Sequence, residues 1–298
     1  MQLTKLVIGN PMEETTKPPT SLIVKIALTH LTLIFFCQIL LFLLLRLSIL
    51  TITLQTRLPD NILEMDKSER ETSQKEIVEK FQKEAEKNPE KISSEYFELA
   101  LGEKPGLLFW NSLLWAISFL PITYYILKKT GAKLNLLSDD LNFGSISTGV
   151  MAGFSVFFLV SSISLILLII GYKPKGNFFQ TALFKNLKDN TYLLAWSIYS
   201  IGIITGIIEE WFFRGFLLTH FIGISATRIG LAITSAIFGA VHYSPEASPV
   251  IPIILSFVGF CFGYFYIRTR NIWVSISAHA TYNSLGLLLA FFLGEKVV

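Results

Sequence analysis

A run of ten residues, Ile207-Ile208-Glu209-Glu210-Trp211-Phe212-Phe213-Arg214-Gly215-Phe216, places two adjacent carboxylates and a guanidinium among apolar side chains. An ionised group in such a setting costs several kcal/mol unless it is paired or faces water. On a helix, Glu210 and Arg214 are four residues apart on one face and form a pair. Glu209 is turned by about 100° from its neighbour and keeps its carboxylate free. Two further polar islands follow, Phe238-Gly239-Ala240-Val241-His242 and His279-Ala280-Thr281-Tyr282-Asn283, and in the second His279 and Asn283 share a helix face. A carboxylate and an imidazole together can deprotonate a water. The remaining imidazole and the asparagine amide can donate to the oxyanion that forms on an attacked carbonyl. No serine or cysteine is visibly activated. Glu209, His242 and His279 also make up the two-nitrogen, one-oxygen set of several zinc hydrolases, but HExxH is absent. The reading therefore favours metal-free water activation and leaves zinc open. The bland alternative is that the three charges only lock one membrane helix to another and that each histidine is a satisfied polar residue in a helix interface.

These residues need helices that bring them level. Glu209 lies about 20 Å of helix before the turn near Phe221 to Ala226, and His242 about 24 Å after it. His279 lies about 10 Å into its own helix from the same side, so the heights match only if that turn protrudes.

The carrier of such helices is a membrane protein. Of its 298 residues, 52% are hydrophobic and 16% charged, and the mean hydropathy is +0.54, outside soluble globular usage. The expected fold class is all-α, a polytopic transmembrane bundle of about seven spans with a charged helical insert between the first two. The expected spans are Ile26 to Leu54, Leu107 to Leu127, Ser145 to Ile170, Tyr192 to Phe221, Ala226 to Tyr243, Val250 to Ile267 and Ile272 to Leu293. The domain division is a polar tail over 1–25, a first span over 26–54, the insert over 55–105 and a peptidase-like core over 106–298. No secretory signal is read in the tail, and the first span is taken as retained. Cys37 and Cys261 both lie in apolar runs and read as small core residues. The net charge of +3 comes with no basic block, which argues against nucleic acid.

The insert alternates acidic and basic residues through Asp66-Lys67-Ser68-Glu69-Arg70 and again from Lys80 to Lys91. Ser73 with Glu76 resembles a capping box, and Ile77 with Phe81 gives a narrow apolar stripe. The stretch reads as a solvated helix, a regulator or a spacer. His30, alone in the first span, reads as a packing residue. Gly149, Gly153, Gly202 and Gly206 permit close helix approach. Lys5, Lys17, Lys25, Lys128, Lys129, Lys133, Arg268 and Arg270 fall on one side of an up-down topology, which the positive-inside rule makes cytoplasmic. Lys173, Lys175, Lys185 and Lys188 fall opposite and count against that assignment.

The set EEWFFRG, FGAVH and HATYN resembles the three motifs EExxxR, FxxxH and HxxxN of the type II CAAX prenyl endopeptidase family, the CPBP or Abi membrane proteases. The resemblance covers the last hundred or so residues. It implies an intramembrane endopeptidase in which Glu209 and His242 activate water and His279 and Asn283 form the oxyanion hole. Glu210 and Arg214 fall on the supporting pair and Phe238 on the aromatic of the second motif. The implied substrate is a peptide or lipidated protein, cut near its C-terminus at the membrane, and the implied location is a membrane, the plasma membrane in a bacterium. No cofactor is required by this chemistry, although relatives are often labelled metalloproteases. The insert is not part of the family pattern. Two competing readings are a non-enzymatic immunity or peptide-binding membrane protein and an ion- or proton-coupled transporter.

Overall fold

Long runs of apolar residues with few breakers produce helices that are hydrophobic on nearly every side, the form that satisfies every backbone amide inside a bilayer. The computed structural model describes residues 19–130 and 140–294, and among these there is helix but no strand. The helices are α1 (Thr20–Gln55), α2 (Lys67–Lys87), α3 (Pro89–Glu98), α4 (Gly106–Thr130), α5 (Phe143–Ile169), α6 (Phe178–Leu187), α7 (Thr191–Gly223), α8 (Thr227–Ala240), α9 (Val250–Thr269) and α10 (Ile272–Leu293). Six of them, α1, α4, α5, α7, α9 and α10, are long and apolar enough to cross a membrane. The stretch expected as a fifth span, Ala226 to Tyr243, is the shorter helix α8 of 14 residues. Most of the polar tail and Lys133 lie outside the described residues, and α1 starts at Thr20, ahead of the expected Ile26.

The chain alternates between two faces. On one, which carries the amino end of α1, the Asn271 amide donates to the Asp140 carbonyl at 2.9 Å. On the other, the insert face, Phe97 packs on Phe179 with ring centroids 5.3 Å apart. There too the Ser248 amide donates to the Lys175 carbonyl at 2.8 Å, so Lys173 to Lys188 and the α8–α9 connection share the face of the insert.

The insert is folded onto the bundle. Its first long helix is capped by Asp66, whose carboxylate accepts from the Ser68 and Glu69 amides. Ser73 and Glu76 lie inside α2, so the expected capping box is one turn and more too late; Asp66 competes better because an ionised cap also meets the positive helix end. Phe81 is buried as its stripe suggested, and so are Ile92 and Tyr96. The Tyr96 hydroxyl donates to Asn111 of α4 at 2.6 Å. Arg57 holds α2 and α3 together through Glu84 at 2.6 Å and Glu95 at 2.7 Å.

Close approach fixes α10. A Cβ on Gly149 would stand 2.5 Å from the Val274 carbonyl oxygen, and one on Gly153 2.5 Å from that of Ala278. Only glycine lets α5 lie this near the backbone beside His279, as the small-residue pattern suggested.

Candidate active site

α7 is not a uniform α-helix. Turns of π-helix at Ile198–Ile204 and Trp211–Leu218 flank the α-helical Thr205–Glu210 that carries both glutamates. Wide turns of this kind displace the backbone register and are frequent at functional sites. They also release carbonyls to side chains: the Ser200 carbonyl accepts from Ser112 at 3.1 Å, and that of Ile201 accepts from Asn283 at 3.1 Å.

The height problem posed by the sequence is solved by a projecting turn. Leu218, Leu231, Tyr266 and Ile272 form one buried cluster, so the α7–α8 turn extends beyond the α9–α10 turn by the residues between 218 and 231. That offset brings Glu209, His242 and His279 to one level.

Glu209 is 4% exposed, and its Oε2 has no hydrogen-bond partner. It stands 4.0 Å from His242 Nε2 and 3.9 Å from His279 Nε2. The other nitrogen of each ring is held. His242 Nδ1 lies 2.7 Å from the Phe238 carbonyl, and His279 Nδ1 lies 2.8 Å from Glu210 Oε1. Both partners are acceptors, so each Nδ1 carries its hydrogen and each Nε2 is turned toward Glu209. α8 ends at Ala240, and the His242 amide bonds the Gly239 carbonyl at 3.1 Å. His242 thus sits in a turn beyond the helix, where 32% of its side chain is exposed, against 5% for His279. The site opens at His242.

Beneath the site lies a fully buried network. Glu210, 0% exposed, accepts from Arg214 Nη1 at 2.7 Å, from His279 and from the Ser275 hydroxyl. Arg214 Nη2 donates to the Gly259 carbonyl at 2.6 Å. The guanidinium lies over the Phe238 ring at 4.8 Å, and the His279 ring stacks on Phe262 at 4.9 Å. The expected Glu210–Arg214 pair is therefore present with Phe238 against it. Asn283 is engaged with α7 through Ile201, one turn along α10 from His279. Ser275, Phe262 and the Gly259 carbonyl were not legible as site residues. Ser275 alone left a trace, standing four residues before His279 on the same helix face.

The donor set does not match a closed zinc site. Tetrahedral zinc with nitrogen and oxygen ligands at about 2.0–2.2 Å keeps ligand atoms about 3.4 Å apart. Glu209 Oε2 stands farther than that from both imidazoles, and the described residues contain no group of three His, Cys, Asp or Glu placed to hold a metal ion.

Residues 191–285 match the family described as type II CAAX prenyl endopeptidase Rce1-like. That segment contains Glu209, Glu210, Arg214, Phe238, His242, His279 and Asn283, so the resemblance seen in the three motifs is borne out over it. The uncharacterized protein YyaK of Bacillus subtilis (strain 168) is 29% identical over 177 residues, covering 58% of this chain. The matched region is 55% of the length of that relative. No solved structure matches. With its six long apolar helices, the protein is a multi-pass membrane protein.

Proposed function

We propose that the protein is a membrane-embedded endopeptidase that hydrolyses a peptide bond near the C-terminus of a membrane-associated protein or peptide. The observation that carries this reading is the unpartnered Glu209 Oε2, buried between two imidazole nitrogens. A buried acceptor is rarely left unsatisfied, and a water between Glu209 and His242 would satisfy it. That water is also the nucleophile: Glu209 takes its proton, and His242, at the open edge, assists and passes a proton to the departing amine.

Charge balance supports a separate role for His279. Glu209 and Glu210 bring two negative charges and Arg214 one positive, all buried. A low-dielectric site disfavours the surplus, and one further proton on the Glu209–His279 pair removes it. His279, held by Glu210, then presents an Nε2–H to the oxyanion of the tetrahedral intermediate, with the second amide hydrogen of Asn283 as the other donor. No step needs a metal, and the spacing of the three groups favours a water over an ion. What distinguishes this reading from a binding or immunity protein is turnover itself.

The test is Glu209→Gln and His242→Ala in the full chain, reconstituted in vesicles with membrane-anchored reporter peptides. Hydrolysis should fall by about 10²–10⁴-fold in both. Glu209→Gln should keep or raise thermal stability, because Oε2 has no partner to lose. Unchanged cleavage in both variants overturns the proposal. Peptide binding without turnover by the unaltered protein points to the immunity reading.

A further inference from the structure

Far along α1 from the catalytic cluster, the insert leaves a gap. α3 packs on α1, whereas α2 arches away from it, and the space between is a groove of about 780 Å³. Its floor is apolar, formed by Phe42, Leu45 and Ile49 of α1 and by Val78 and Phe81 of α2, and Arg46, Gln82 and Glu86 lie at its polar edge. The size falls within the range of small-molecule sites, roughly 300–1,000 Å³. The shape is held from outside: Arg57 ties both insert helices together through Glu84 and Glu95 and covers the Phe81 ring at 4.8 Å.

The level of the groove follows from a tryptophan. Trp110 of α4, 38% exposed, donates its indole N–H to Ser48 of α1 at 2.7 Å. An exposed indole beside a polar partner marks the boundary between hydrocarbon and headgroups. Arg46 lies two residues toward the bilayer from Ser48, and Phe42 one turn deeper. The groove therefore runs from the hydrocarbon edge into the headgroup zone. At that level Arg46 and Glu86 carry opposite charges, and neither forms an ion pair with a described residue within 4.0 Å.

We propose that this groove binds one phospholipid with a primary-amine headgroup, the phosphate on Arg46, the ammonium between Glu86 and Gln82, and an acyl chain along Phe42, Leu45 and Ile49. The guanidinium fork matches two phosphate oxygens. The carboxylate makes an amine headgroup a better fit than a purely anionic one, which would set a second negative charge beside Glu86. The lipid supplies the packing that α1 and α2 do not give each other. The site does not depend on the peptidase chemistry and uses none of its residues.

The experiment is native mass spectrometry of the full chain released from nanodiscs containing equal amounts of phosphatidylethanolamine, phosphatidylglycerol and phosphatidylcholine. One phosphatidylethanolamine should be retained in preference to the others. Arg46→Ala and Glu86→Gln should each lower its retention by about tenfold, the scale of one charge-assisted contact. Arg46→Lys, which keeps the charge, should lose less and controls for a folding defect. Equal retention of the three lipids, preference for phosphatidylglycerol, or retention unaltered by Arg46→Ala and Glu86→Gln would each overturn the assignment.

Discussion

Two ion-pair networks in this protein use the same chemistry in opposite surroundings. In the insert, Arg57, Glu84, Glu95 and Lys91 join two helices with side chains 24–53% exposed. In the matched core, Glu210, Arg214, Ser275 and His279 are joined with side chains almost wholly out of contact with solvent. Water screens the first network and replaces any partner that leaves. Nothing replaces a partner in the second, so each group there is fixed by the others, and the ring of His279 is aimed as a result. Exposed charges in this chain hold elements loosely together. Buried ones set angles.

That contrast can be broken most forcefully at Arg214. Arg214→Ala leaves Glu210 and its hydrogen-bond partners around an uncompensated charge and should cost about 3–5 kcal/mol, read as loss of folded, monodisperse protein in detergent. A variant as stable as the parent would mean the buried network is not structural. Ser275→Ala is the finer cut. It removes one donor to Glu210 and should cost about 1–3 kcal/mol, with a larger drop in peptide turnover than in substrate affinity, because His279 loses its fixed aim.

The smallest effect is expected in the insert. Hydrogen bonds from Lys91 and then Arg57 hold the Glu84 carboxyl below its ordinary 4.5. A depressed carboxylate contributes stability that is fully present above the ordinary value and is lost as pH falls through the lowered one. Hydrogen exchange in α2 should therefore accelerate only below about pH 4.5, and salt at neutral pH should loosen it slightly, while the core amides of α7 stay protected. Equal sensitivity in both regions would erase the distinction.

The same contrast explains what could be read without coordinates. Glu209, Glu210 and Arg214 stood out because charge in an apolar run is conspicuous, and their spacing gave the pairing at once. His242 and His279 were legible for the same reason. Ser275 was not, because a hydroxyl is unremarkable in a membrane helix and its partner is on another helix. The docking of the insert was hidden as well: the contact of Tyr96 with Asn111 joins residues whose letters suggest only surface. His30 read as a packing residue, and it is buried with its ring 3.0 Å from His220, a neighbour that the sequence places far away. The ends of α8 were misjudged by three residues because apolar Val241 and Tyr243 continue the pattern after the backbone has turned. The wide turns of α7 left no mark in composition, since they follow from packing around Gly202 and Asn283.

Those wide turns have a consequence for the history of such a chain. Each amounts to one residue more than a regular helix would hold over the same rise. Deleting a single residue between Ile198 and Ile204 would restore an ordinary spiral and swing everything after it by about 100° relative to the helix start. All three motifs would still spell correctly, yet the carboxylate at their head would face a different neighbour.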